Sequence, residues 1–272
     1  MSNFSAIFAI LPSAAPRFWA AFPFAHNPLP CSDQSSTAHK DITNQDPNIK
    51  AATPAFSPLP GAAASLTAGD TVVIPVKGFI CEGCDCEGWA VSPSTVLSKI
   101  DQALAAGRPV VLDIDSPGGA VDGVAELADY IARAVKGGAE ITAYTRGTCC
   151  SAAYWIAAPC SRILATRGAN IGNCGCWAAF PCFAEANARA GIAVNLFASG
   201  DLKAAGHPDI PLTEAQADFL AGHIRAVADL FFADVRAARP AVDETALTSG
   251  AFFLAAQALS LGFIDQLVAD SP

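Results

Sequence analysis

The segment Pro109-Val-Val-Leu-Asp-Ile-Asp-Ser-Pro-Gly-Gly119 joins a short apolar run to a pair of glycines. Residues 109–114 are typical of a parallel strand that is buried on both faces, and Ser116-Pro-Gly-Gly119 predicts a turn. The amphipathic pattern of residues 121–135 predicts a helix after that turn. A strand, a turn and a helix in this order indicate a βαβ unit, which is the building block of a parallel sheet.

The same alternation continues on both sides of this segment. Strands are predicted at residues 71–76, 141–144, 162–165 and 192–197, helices at 94–106, 151–158 and 213–239, and a short helix with a last strand between 255 and 267. This order predicts an α/β fold with mostly parallel strands. No glycine-rich dinucleotide fingerprint or phosphate loop follows a strand, which disfavours the Rossmann and nucleotide-hydrolase classes.

Composition excludes several classes of protein. The chain has 272 residues, of which 52% are hydrophobic and 15% charged, and its net charge is −9. A largely disordered protein would be more polar, and a nucleic-acid binder would carry a basic surface. Prolines and charged residues interrupt the apolar stretches before they reach the ~20 residues of a membrane span, and no basic residue precedes the apolar residues 6–25. We therefore expect no stable membrane span, no nucleic-acid partner and no secretory signal.

The chain divides into two parts that differ in composition and in hydrophobic periodicity. Residues 1–65 are rich in Pro, Ser, Ala and Asn and lack sustained periodicity, so they predict a disordered or linker-like N-terminal extension. Residues 66–272 carry the alternating elements and are expected to form one domain.

Ten cysteines raise the question of metal binding. Cys81, Cys84 and Cys86 have metal-ligand spacing, but a structural zinc site usually needs a second pair. The only candidate for that pair, Cys174 and Cys176, falls in a predicted buried strand or turn. We predict no metal site. Without a metal, these cysteines are interpreted as reduced thiols that pack as small hydrophobic side chains.

Three places could carry chemistry. Gly118 and Gly119 leave backbone amides uncovered, as an oxyanion hole requires, although an ordinary tight turn has the same sequence. Ser151 lies where a strand meets a helix and is either a nucleophile or a helix cap. Lys203, one of six lysines, becomes a general base if it is buried, or is a surface lysine in a loop. His207 is the rival base.

These motifs together resemble one known family, the signal peptide peptidase A (protease IV) family. The resemblance rests on the segment that ends at Gly119, on Ser151-Ala-Ala-Tyr-Trp-Ile-Ala157, and on Ser199-Gly-Asp-Leu-Lys203 with Pro211-Leu-Thr-Glu214. The chain is most similar to the short, phage-borne branch, whose members process head proteins during capsid assembly. The resemblance covers residues 70–268.

The resemblance implies a Clp-protease/crotonase-like spiral of ββα units and a serine endopeptidase without a cofactor. It implies Ser151 as nucleophile, Lys203 as base, and Gly118, Gly119 and Ala152 as the oxyanion hole. It also implies a homo-oligomeric ring, capsid or scaffold proteins as substrates, and a cytoplasmic location in a bacterial host.

One departure from the family pattern leaves alternatives open. Asn173 stands where the family usually has a serine that orients the lysine, although its amide oxygen can still accept a hydrogen bond from Lys203. The alternatives to an active peptidase are a catalytically impaired relative that acts as an assembly or scaffold factor, and a crotonase-like acyl-CoA enzyme.

Overall fold

The computed structural model describes residues 8–10, 71–84 and 89–269, which form a mixed α/β fold around a mostly parallel sheet. The strands of these residues are β1 (Phe8–Ile10), β2 (Val72–Ile80), β3 (Ala90–Val91), β4 (Val110–Ala120), β5 (Ile141–Cys150), β6 (Arg162–Thr166), β7 (Asn170–Gly172), β8 (Phe252–Leu254) and β9 (Gln266–Val268). The helices are α1 (Pro93–Ala105), α2 (Val124–Lys136), α3 (Ala152–Ala157), α4 (Ala184–Arg189), α5 (Glu214–Ala238), α6 (Glu244–Thr248) and α7 (Ala255–Ser260).

The sheet runs in the order β3-β2-β4-β5-β6-β9, and every neighbouring pair along this path is parallel. Two further strands extend from β5, because β7 pairs with it in parallel and β8 pairs with β7 antiparallel. Strand β1 pairs antiparallel with the end of β4. The predicted α/β class with mostly parallel strands is therefore confirmed.

The predicted turn at residues 116–119 is wrong, because β4 continues through it to Ala120. Gly118 has a φ of +101°, and the strand continues past it to Ala120. A Cβ atom on Gly119 would overlap the carbonyl oxygen of Ile80 in β2, so the second glycine allows the two strands to pair closely. Helix α2 consequently begins only at Val124, and its first turn does not follow the glycines directly.

The predicted strand at residues 192–197 is also wrong. The structure describes all of these residues, and they form an exposed loop with no strand partner. Ile192, Val194 and Leu196 give this stretch an apolar alternation, but a strand forms only where a neighbouring strand supplies its hydrogen bonds. Phe197 is 93% exposed at the end of the loop.

Helix α3 is the most deeply buried helix around the sheet, since its six residues are at most 1% exposed. The Trp155 ring stacks on Phe231 of α5 with centroids 4.6 Å apart, and its Nε1 donates to Asp234 Oδ2 at 2.7 Å. Arg239, directly after α5, donates to the carbonyl oxygens of Ala158 and Cys160 just beyond α3. Helix α5 thus holds α3 in place.

Three predictions concern the N-terminal extension, the cysteines after β2 and the absence of a membrane span. Of the predicted extension, residues 1–65, only Phe8–Ile10 lie within the described residues, and they add strand β1 to the sheet. Cys81 and Cys84 form a disulfide directly after β2, while Cys86 lies outside the described residues. None of the helices in the described part of the chain is both long and apolar enough to cross a bilayer.

Candidate active site

Ser151 occupies an unusual backbone conformation between β5 and α3. Its φ is +58° and its ψ is −126°, in the half of conformational space that glycine favours. Such a conformation costs a non-glycine residue about 1–3 kcal/mol and is concentrated at functional sites. The backbone around it is fixed, because the Ser151 amide donates to Gly172 O at 2.7 Å and the Trp155 amide donates to Ser151 O at 2.9 Å.

The Ser151 side chain does not cap the helix that follows it. The residue is 1% exposed, and its Oγ has no hydrogen-bond partner among the residues that the structure describes. An N-cap serine would accept a hydrogen bond from an amide in the first turn of the helix, and α3 has no such side-chain cap. The interpretation of Ser151 as a helix cap is therefore wrong. A buried hydroxyl without a partner is free to bond to a molecule that enters the site.

The strand register brings the glycine segment to Ser151. Ser116 of β4 pairs with Cys149 of β5, two residues before the serine. Asp115 Oδ1 accepts a hydrogen bond of 3.0 Å from the Thr148 amide, and a Cβ atom on Gly147 would overlap the same carboxylate. This packing fixes the ends of β4 and β5 against each other.

The amides at the predicted oxyanion hole differ in their partners. The Gly118 amide donates to the buried Ser116 Oγ at 3.2 Å, so this structure already uses that donor. The Ala152 amide lies at the first position of α3, where an amide has no acceptor within its own helix. Ser116 was missed as a site residue, although it belongs to the motif that the sequence analysis singled out.

Cys150, the thiol next to Ser151, is poorly suited to act as a nucleophile. It is buried, and its Sγ donates to Asn170 O. Burial raises the pKa of Cys150 to about 12, so the thiolate, which is the reactive form, is scarce at neutral pH. Burial likewise raises the pKa of Cys149 and Cys174. These three thiols pack as small hydrophobic side chains, one of the two interpretations that the sequence allowed.

Lys203 makes no hydrogen bond to Ser151 Oγ in the structure. Lys203 is exposed in a turn at residues 201–206, and its amide donates to Gly200 O at 3.0 Å. No hydrogen bond joins it to Ser151, since the Oγ has no partner in the described chain. The rival base His207 faces Asp209, whose amide donates to its Nδ1 at 3.2 Å. Neither candidate base is hydrogen-bonded to the Ser151 hydroxyl in this single chain.

Within the described residues, the hydrogen bonds of Asn173 go to the segment before β8 and not to Lys203. Its Nδ2 donates to Gly250 O and its amide donates to Ala251 O, both at 2.7 Å. Asn173 itself has a φ of +51°, a conformation that asparagine adopts more readily than most residues. The residue therefore ties the end of β7 to the segment before β8.

Within the described residues, no group of three or more His, Cys, Asp or Glu side chains could hold a metal ion. Two of the three cysteines with metal-ligand spacing, Cys81 and Cys84, are joined to each other.

Comparison with known proteins gives a family match. The pattern of peptidase family S49 matches residues 133–270, just over half of the chain. The chain is 31% identical over 176 residues to the head-tail preconnector protein GP5 of Enterobacteria phage P21, across 64% of this chain and 35% of that protein. It is 30% identical over 178 residues to the capsid assembly protease C of Escherichia phage lambda, across 64% of this chain and 40% of that protein. The matched region thus covers well under half of either relative.

Proposed function

The chain belongs to peptidase family S49, and we propose on that premise that it is a serine endopeptidase with Ser151 as its nucleophile. The observation that carries this proposal is the backbone of Ser151, held at a φ of +58° with a buried Oγ that has no partner in the described chain. A helix cap does not require a strained backbone. A nucleophile requires a side chain held in a fixed direction and an oxygen that is not already hydrogen-bonded. Family membership favours a peptidase over the crotonase-like acyl-CoA alternative.

Lys203 is the proposed base, which makes the catalytic pair a Ser/Lys dyad. A lysine works as a base only when its surroundings disfavour the ammonium form, and this side chain is exposed in the single chain. Phe197 and Leu202, both close to it in sequence, are 93% and 42% exposed. We propose that the chain forms a homo-oligomer that covers these apolar side chains, removes water from Lys203 and lets it reach Ser151.

The proposed reaction follows from these roles. Lys203 Nζ takes the proton of Ser151 Oγ, which attacks the carbonyl carbon of a peptide bond. The amides of Gly119 and Ala152 donate hydrogen bonds to the oxyanion. Lys203 returns the proton to the leaving amine, and a water molecule then attacks the acyl-enzyme and releases Ser151.

The biological substrates are proposed to be phage head proteins. The two phage relatives bear names that refer to capsid assembly and to the head–tail preconnector, which supports capsid or scaffold proteins as partners and the cytoplasm of a bacterial host as the place of action. We assign residues 66–272 to a single peptidase domain, and we extend to it the family's spiral of ββα units.

Hydrolysis of an apolar peptide and of candidate head proteins tests this function. We expect Ser151→Ala to lower kcat/KM by about 10⁴-fold or more, because the nucleophile is removed, and Lys203→Ala to abolish activity to a similar degree. His207→Ala is the matched control, since it removes the nearby rival base, and it should keep most of the activity. Full activity in Ser151→Ala would contradict the proposal. A folded wild-type oligomer that cleaves none of these substrates would favour the scaffold alternative.

A further inference from the structure

Strand β1 lies at the edge of β4 that faces Ser151. On one side, β4 pairs with β2 as far as Ile80 opposite Gly119. On the other side, β5 pairs with β4 only as far as Ser116 opposite Cys149. A strand has two edges, so the antiparallel β1 takes the edge that β5 leaves. Ser151 comes directly after β5, on this side of β4.

The register places β1 on the proposed oxyanion segment. Phe8 pairs with Ala120, Ala9 with Gly119 and Ile10 with Gly118. Backbone pairing at a free strand edge is the usual way in which a protein binds an extended peptide, because the hydrogen bonds do not depend on the peptide's sequence. The place beside Gly118–Ala120 is therefore fit for an extended substrate, and in this structure the chain's own N-terminal residues fill it.

We propose that β1 acts as an intramolecular pseudosubstrate, which occupies the place of an extended apolar peptide beside Ser151 and must leave before substrate binds. This inference rests on the proposed function, since it assigns the same site. Covalent attachment gives such a strand an effective concentration of the order of 1 mM, which a free peptide has to overcome. The sequence of β1, Phe8-Ala9-Ile10, is apolar, so an apolar peptide is the proposed competitor for this place.

A double proline substitution in the full chain removes β1 from its site. Successive amides of an antiparallel strand point to opposite sides, so one of Ala9 and Ile10 directs its amide at β4. Ala9→Pro/Ile10→Pro must therefore remove an inward donor, since proline has none. Ala14→Pro/Ala15→Pro is the matched control, with the same change in the same N-terminal segment but outside β1.

The first readout is hydrolysis of an apolar fluorogenic peptide. If β1 fills the site for about nine-tenths of the time, its loss raises kcat/KM roughly tenfold, because the competent fraction rises by that factor. The control pair should leave kcat/KM within about twofold of the wild-type value by the same reasoning. An unchanged or lowered kcat/KM in Ala9→Pro/Ile10→Pro would overturn the inhibitory role.

The second readout does not depend on catalysis and uses Ser151→Ala chains. Hydrogen–deuterium exchange at residues 118–120 should speed up in the Ala9→Pro/Ile10→Pro chain and not in the control. A labelled peptide of residues 5–11 should bind the Ala9→Pro/Ile10→Pro chain roughly tenfold more tightly than the control chain, because it no longer competes with β1. Equal exchange or equal binding in the two chains would overturn the proposal. If no chain hydrolyses peptide, the proposed function fails, and these binding measurements still decide whether β1 occupies the site.

Discussion

At the residue scale, Cys150 and Ser151 are neighbours in sequence, but they differ in whether their side chains are available to react. Burial raises the pKa of Cys150 to about 12, and its sulfur is engaged with a backbone carbonyl. Ser151 is equally buried, but its Oγ has no partner among the described residues, and its backbone is strained. The fold thus makes the thiol inert and leaves the hydroxyl available, although a thiol is intrinsically the better nucleophile.

Because the backbone of Ser151 is strained, we expect glycine at this position to make the protein more stable than alanine does. Ser151→Gly should raise the free energy of unfolding by about 1 kcal/mol relative to Ser151→Ala, because glycine adopts a positive φ without steric cost. Both variants lack the hydroxyl, so the comparison isolates the backbone. Urea denaturation of the two variants measures the difference, and a Gly variant that is less stable than the Ala variant would show that the conformation is not strained.

At the element scale, the buried parallel strands could be predicted because their sequences are apolar on both faces. The strands near residues 71–76, 109–114, 141–144 and 162–165 are all present. The continuation of β4 through Gly118 and Gly119 could not be predicted, because two glycines after a proline are typical of a turn. What keeps β4 extended is its pairing with β2, a contact between segments about forty residues apart.

Two further differences between the predicted and the observed strands also arise from pairing between segments that are distant in sequence. Residues 192–197 have the composition of a strand but no neighbouring strand, so they remain an exposed loop. Phe8–Ile10 lie in a segment of low periodicity, yet the free edge of β4 gives them partners. In the candidate site, the strand-to-helix junction at Ser151 followed from local pattern. Its strained backbone and an Oγ without a partner in the described chain depend on the folded structure, in which the Ser151 amide donates to Gly172 O.

At the scale of the whole molecule, exposed apolar side chains cluster in the segment that carries Lys203. Ile192 is 55% exposed, Phe197 is 93% exposed, and Val194, Leu196 and Leu202 in the same segment are about 40% exposed. Large exposed apolar groups of this kind mark surfaces that bind other proteins. The proposed homo-oligomer would bury them and would bring the proposed base out of water.

Removing these side chains should separate the subunits. We expect Ile192→Ser/Phe197→Ser to lower the molecular mass in sedimentation from an oligomer to a monomer and to reduce peptide hydrolysis by about tenfold or more, because Lys203 stays hydrated. Val73→Ser is the matched control, since Val73 is 52% exposed on a different element. A double variant that assembles and hydrolyses peptide like the wild type would rule out this segment as the interface.

The most direct test of the central claim is to locate the acyl group during turnover. Wild-type protein is mixed with an apolar peptidyl p-nitrophenyl ester, quenched in acid and digested with trypsin, and the peptide of residues 147–162 is sequenced by tandem mass spectrometry. We predict that the acyl group lies on Ser151 Oγ and is absent from Ser151→Ala. An acyl group on Cys150 or Ser161, or one that forms equally in Ser151→Ala, would contradict the assignment of Ser151 as the nucleophile.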